Sequence, residues 1–238
     1  MWEIKKLIDR TTMPSKRYLA VKALVDENQT YTIGAAMELS KKTATAKYDE
    51  GVELHLRLGI NPTKSDQQVR GTIALPHGTG KTKRVAAFVE AEKEAEAKEA
   101  GADIVGNEEY IAEMAQKGKI DFDVAIATPL MMPKIAKLAR LLGPRGLMPN
   151  PKTDTVGQNV TKMIQEQKAG KESFKNDKDG NIHQIFGRAS FTEAQLQENL
   201  EALVEQIKRL RPATAKGIFI KSATVCTTLG PAIKVDIA

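Results

Sequence analysis

A chain of 238 residues with 41% hydrophobic content can fill one large core or two smaller ones, and its 36 Lys and Arg against 30 Asp and Glu lean weakly toward an anionic partner. The lone cysteine, Cys226, excludes an intrachain disulfide and fits a reducing compartment. No eighteen apolar residues run together and Met1–Arg10 holds no apolar run of signal-peptide length, so the expectation is a cytoplasmic protein with no membrane partner.

In chain order, Ser15 to Asp26 carries Tyr18, Leu19, Val21, Leu24 and Val25 at helical spacing, with Ser15 as the cap. Ala35 to Ala46 repeats the pattern through Ala36, Leu39 and Thr43, and Lys47-Tyr48-Asp49-Glu50 ends it. From Gly51 to Ile60, Val52, Leu54, Leu56 and Leu58 alternate with Glu53, His55 and Arg57, which predicts a half-buried strand. Val69 to Leu75 predicts another. His55 falls on the polar side, and its spacing to His77 and His183 is not that of metal ligands, so no metal site is expected.

The segment Pro76 to Thr82 invites comparison with the phosphate loop G-x-x-x-x-G-K-[ST], whose backbone N–H groups cradle phosphates. The first glycine of that motif would fall at position 75, which is Leu75, and the residues after Lys81 read as a strand where a helix is required. A glycine-rich linker accounts for the same residues.

Strands predicted at Val85–Val89, Ile104–Gly106 and Phe122–Ala127 alternate with helices at 90–101, 107–117 and 133–142, which means βαβ units and a parallel sheet. No G-x-G-x-x-G follows the first strand, so the dinucleotide fingerprint is missing and no cofactor is expected. Val156 to Ala169 predicts a closing helix. After Gly170 the pattern changes again: Lys171–Lys175 and Ile182–Phe186 read as a hairpin around Asn176–Gly180, and Ser190 with Glu193 as a capping box. Leu196, Leu200, Leu203, Ile207 and Leu210 then mark the inner stripe of a long helix ended by Pro212. Ile218 to Thr227 is a strand, Thr228-Leu229-Gly230-Pro231 a turn with Gly230 free to take positive φ, and Ala232–Asp236 a short last strand. Charge follows the same division: residues 79–169 carry 14 Lys and Arg against 13 Asp and Glu, and the two chain ends together 22 against 17. An anionic partner is therefore expected at the chain ends.

Several segments, in this order, resemble one family. They are Thr45–Leu54, Leu58–Pro62, Lys64–Thr72, Leu75–Gly80, the run Leu142-Gly-Pro-Arg-Gly-Leu-Met-Pro-Asn-Pro-Lys152, and Thr227–Pro231. Together they are similar to the bacterial type of the family of universal large-subunit ribosomal protein number one, over almost the whole chain. The resemblance implies an α/β (α+β) protein of two domains. One is a split α+β domain with an antiparallel sheet, residues 1–78 plus 170–238, and the other is an inserted Rossmann-like parallel domain, residues 79–169, without nucleotide. It implies binding to large-subunit ribosomal RNA in the mobile side stalk beside the tRNA exit site. It further implies contact with exit-site tRNA and help in releasing it once deacylated, contact with other ribosomal components, repression of the protein's own operon messenger RNA, and a monomer when free.

Carried over by motif, the RNA-facing residues are Lys47, Tyr48, Asp177, Lys178, Ser222, Thr228, Leu229 and Gly230. Tyr48 stands where many bacterial members have Phe, and Leu229 where Met is usual; both swaps keep a ring or an apolar contact. Chemically, Lys47 and Lys178 supply phosphate charge, Tyr48 a ring for a ribose or base, and Thr228 and Gly230 a hydroxyl and backbone donors for an A-form target read by shape. Two plainer readings stay open: core packing for Tyr48, and an Asx turn for Asp177. The competing function, a nucleotide-dependent α/β enzyme, lacks both a phosphate loop and a catalytic constellation.

Overall fold

The computed structural model describes residues 15–26 and 28–237; Met1–Arg10 lies outside them. Helix α1 (Lys16–Lys22) starts where the Ser15 hydroxyl accepts the Tyr18 N–H at 3.2 Å. Helix α2 (Ile33–Thr43) buries Ala36, Met37, Ser40 and Thr43, and stops at Ala44, earlier than the sequence pattern predicts, because the backbone there turns extended.

Strand β1 (Gly51–Leu58) is flanked on both sides in a four-stranded antiparallel sheet. The order is β7 (Asn181–Arg188), β1, β8 (Ile220–Thr227), β9 (Ile233–Lys234). The alternation read from sequence places Val52, Leu54, Leu56 and Leu58 inward, with Ile182, Phe186, Val225 and Ile233 beside them. Met37 and the stripe Leu196, Leu200, Leu203 and Ile207 of helix α8 (Glu193–Arg209) close this core from one side. The helix cap is Thr192 with Gln195, not Ser190 with Glu193; the Ser190 hydroxyl instead donates to Asp49.

A second correction concerns the hairpin at Asn176–Gly180. Its arms share only the bridge between Asn176 and Ile182. Strand β6 (Lys171–Lys175) pairs with β2 (Arg70–Ala74) in a separate two-stranded sheet, while β7 pairs with β1. The turn is local, but the strands it joins take their ladder partners from elsewhere in the chain.

Residues in between build the parallel sheet, β4 (Ile104–Gly106), β3 (Val85–Phe88), β5 (Val124–Ala127). Both of its faces are covered, as parallel sheets require. Val85 and Ala87 pack with α3 (Glu94–Glu99) and α7 (Val160–Lys168) through Ala97, Val160 and Ile164. Ala86 and Phe88 pack on the other face with Ile111 and Met114 of α4 (Glu108–Lys117). The helix expected over 133–142 is broken into α5 (Met132–Ile135), a 3-10 turn (Ala136–Leu138) and α6 (Ala139–Leu142). The closing helix begins at Val160, where the Asn159 side chain accepts the Lys162 N–H. The fold is thus two α/β domains, one antiparallel and one parallel.

The chain crosses between them twice at one place. A Cβ on Gly170 would lie 3.0 Å from Gly78 Cα, so the two connections touch backbone to backbone. Buried Asn199 pins the first of them, accepting the His77 N–H at 3.0 Å and donating to the Gly78 carbonyl at 3.0 Å. That is the work of a linker, not of a phosphate cradle. Beside the crossing, Lys171 Nζ meets Asp154 at 2.9 Å and Glu166 at 2.7 Å, and Lys83 Nζ meets Glu172 at 2.8 Å. A cleft of about 410 Å³ opens there, lined in part by Gly146, Met148 and Asn150 from the proline-rich run.

Paired connections with a polar clasp allow opening while restraining twist. We expect single-molecule distances between the domains to show more than one arrangement, and Asp154→Asn with Glu166→Gln to shift them toward the open one. A single distance, the same in both proteins, would contradict a hinge.

Candidate nucleic-acid interface

The face of the four-stranded sheet turned away from the core carries Glu53, His55 and Arg57 of β1, Asn181, His183 and Ile185 of β7, and Ser222, Thr224 and Cys226 of β8. The register sets them in rows: Glu53 with Ile185 and Cys226, His55 with His183 and Thr224, Arg57 with Asn181 and Ser222. At one end of these rows lie the 44–50 loop and the Thr228–Gly230 turn. The turn of Asp177 and Lys178 lies at the other.

The first end is held by one buried carboxylate. Glu50 is 1% exposed; its Oε1 accepts the Ala46 N–H at 2.8 Å and its Oε2 the Leu229 N–H at 3.0 Å. Arg17 makes the same connection from outside, donating to Thr45 Oγ1 at 2.8 Å and to the Leu229 carbonyl at 3.2 Å. Asp49 accepts from the Ser190 N–H and hydroxyl, and its carbonyl accepts from Arg188. Between these anchors Lys47 and Tyr48 stand out in solvent, with Tyr48 53% and Leu229 43% exposed. Core packing for Tyr48 is therefore excluded.

Thr228 is exposed, yet its hydroxyl is engaged within the protein. It accepts the Gly51 N–H at 3.2 Å and faces Glu53 Oε1 at 3.2 Å and the Gly51 carbonyl at 3.3 Å. Gly230, though free to take positive φ, does not do so. Glycine is required there because a Cβ would meet Thr227 Oγ1 at 2.3 Å, and its N–H donates to the Thr227 carbonyl at 3.0 Å. The backbone donor foreseen from sequence is thus spent on the turn itself.

At the far end, Asp177 is the Asx turn of the plainer reading. Its carboxylate accepts the N–H of Asn181 at 2.7 Å and of Asp179 at 2.9 Å, and these bonds, the one from Asn181 foremost, lower its pKa to about 2. Lys178 beside it is exposed, as is Ser222 in the row nearest that end. Six residues of extended strand separate Ser222 from Thr228, roughly 20 Å. The predicted residues therefore fall into two groups at opposite ends of one sheet face.

Sequence reasoning missed Glu50, Arg17 and the middle of the face. Period-2 alternation had already put Glu53, His55 and Arg57 on the polar side, but nothing local shows which strands flank them. Sequence spacing gives His55 no metal-ligand partner, whereas pairing brings its Nδ1 to 2.7 Å from His183 Nδ1 and its Nε2 to 3.1 Å from Cys226 Sγ. Burial, then the neighbouring His183, hold the His55 pKa down against the pull of Glu53. Burial, helped by Glu53, pushes the Cys226 thiol up to about 11.

Replacing Glu50 with Ala leaves two backbone N–H groups without an acceptor, which costs about 1–3 kcal/mol of local stability, or roughly 5- to 150-fold. Amide exchange at Ala46 and Leu229 is expected to quicken by that factor, and by less in Glu50→Gln, which keeps one acceptor oxygen. Equal protection in parent and Ala variant would remove Glu50 from its role.

Residues 40–231 match the family described as the ribosomal protein L1p/L10e family. A protein of Kosmotoga olearia named large ribosomal subunit protein uL1 is 54% identical over 222 residues, covering 93% of this chain and 96% of its own length. A protein of Fervidobacterium nodosum with the same name is 54% identical over 223 residues, covering 94% and 95%. The match spans both groups on the sheet face, the crossing and the parallel domain, and the chain belongs to the ribosomal protein L1p/L10e family.

Proposed function

We propose that this chain is a structural constituent of the large ribosomal subunit and binds ribosomal RNA along the open face of its antiparallel sheet. The observation that carries the reading is the Glu50 and Arg17 clamp, which joins two sequence-distant loops and leaves Lys47, Tyr48 and Leu229 in solvent. A-form RNA hides its base edges, so a protein reads its shape, sugar hydroxyls and phosphates, and splayed bases can stack on a ring. A rigid ledge with a ring, an apolar tip and a lysine suits such a target. Arg57 and Lys178, both exposed, extend positive charge toward the other end, while Ser222 offers a hydroxyl.

In this reading residues 1–78 and 170–238 form the RNA-binding domain, and 79–169 an inserted domain carried at the end of the paired crossing. Excess positive charge on the chain ends supports it. Such a protein in the mobile side stalk beside the tRNA exit site would contact exit-site tRNA, and domain opening would assist release of the deacylated molecule. The same sheet face would bind a similar fold in the protein's own operon messenger RNA and repress its translation. The free protein is read as a monomer in the cytoplasm. Among the described residues no helix is long and apolar enough to cross a membrane.

The test is affinity for a large-subunit ribosomal RNA fragment as salt is varied. Lys47→Ala should weaken binding and flatten the slope of log affinity against log salt by about one unit, since one phosphate contact is lost. Thr228→Val should weaken binding by about 1–3 kcal/mol with the slope kept, because it orphans the Gly51 N–H and loosens the turn. Thr228→Ser, which retains the hydroxyl, should bind like the parent. Folded Lys47→Ala and Thr228→Val proteins that both bind like the parent would exclude this surface.

A further inference from the structure

In the middle of the same sheet face lies a cluster that RNA recognition does not call for. Glu53 and His55 on β1 and Cys226 on β8 bring one ligand atom each within 4.8 Å of one another. His55 Nε2 lies 3.1 Å from Cys226 Sγ and 3.8 Å from Glu53 Oε2. With zinc–sulfur near 2.3 Å and zinc–nitrogen or zinc–oxygen near 2.0–2.1 Å, tetrahedral edges come to about 3.5 Å for S···N and about 3.4 Å for N···O. The two observed edges straddle these values, and rotamer shifts of a few tenths of an ångström in these half-buried side chains would bring both to them.

The hydrogen bonds behind His55 point its free nitrogen into that gap. Asp177, already accepting from two backbone N–H groups, faces His183 Nε2 at 3.4 Å, so a neutral His183 carries its proton on Nε2. The His183 Nδ1 lone pair then faces His55 Nδ1 at 2.7 Å, which must be the donor. His55 Nε2 is left with its lone pair toward Cys226 and Glu53. A metal-ligating histidine is oriented in this way, with its other N–H given to an acceptor.

We propose that Glu53 Oε2, His55 Nε2 and Cys226 Sγ form a three-ligand site for Zn²⁺, with the fourth position open to water. As the zinc–sulfur bond forms, the Cys226 proton leaves to solvent; nothing is oxidised or reduced. Thiolate with imidazole selects zinc over the hard magnesium ion. The ion ties β1 to β8. It also turns the single negative charge of Glu53 into a neutral cluster beside Thr228, whose hydroxyl is 3.2 Å from Glu53.

The test uses the full chain, reduced and freed of metal, titrated with Co²⁺ as the spectroscopic stand-in and then with Zn²⁺. One cobalt ion should bind per chain, with tetrahedral visible bands and a near-ultraviolet thiolate-to-cobalt band, and zinc should displace it. Cys226→Ser should lose the thiolate band, and His183→Ala, a change at an exposed side chain, should weaken binding by about 10- to 100-fold. His77→Ala, which alters the separate two-residue pair with Glu198, should change nothing. A parent spectrum without the thiolate band overturns the proposal whatever the variants do. So does zinc affinity unchanged in Cys226→Ser.

Discussion

A buried carboxylate at the mouth of the antiparallel sheet is the constraint on which the candidate interface depends. Glu50 has no solvent to satisfy it, and its two oxygens take N–H groups from Ala46 in its own loop and from Leu229, 179 residues further along the chain. Removing it would leave both donors unpaired, and a buried unpaired donor is more expensive than the bond itself is favourable. The 44–50 loop and the Thr228–Gly230 turn are therefore one rigid object, not two flexible tips. Rigidity matters because a loop that must be ordered on binding gives up part of its affinity to that ordering.

From this anchor the sheet carries order outward. β1 pairs with both β7 and β8, so each row across the open face draws one residue from three strands. The Asp177 carboxylate at the far end plays a part like that of Glu50, fixing its turn through backbone N–H bonds and, through His183, the orientation of His55. The two ends of the face are thus each built around a carboxylate that accepts backbone donors. The parallel domain contributes no residue to either end; it meets the sheet domain through the Gly78 and Gly170 crossing and the Lys171 clasp.

Much of this was legible in the sequence where the signal is local. Alternation placed Val52 to Leu58 inward, helical spacing placed Leu196 to Ile207 in the core, and alternating strands and helices announced the parallel sheet. What failed was decided at a distance. The arms around Asn176–Gly180 look like a hairpin, but β6 finds β2 and β7 finds β1. At Gly230 turn chemistry offers the freedom of positive φ, but the neighbouring Thr227 hydroxyl is what a Cβ there would meet. Likewise His55, His183 and Cys226 have no motif spacing, because pairing rather than sequence separation brings them together.

The most direct measurement is cross-linking of the protein to the RNA that copurifies with it, after nuclease trimming, with the linked residues mapped by mass spectrometry. The account predicts large-subunit ribosomal RNA, linked at Lys47 and Tyr48 near the clamp and at Lys178 at the far end of the sheet. Links confined to residues 79–169, or a trimmed RNA of another kind, would contradict it.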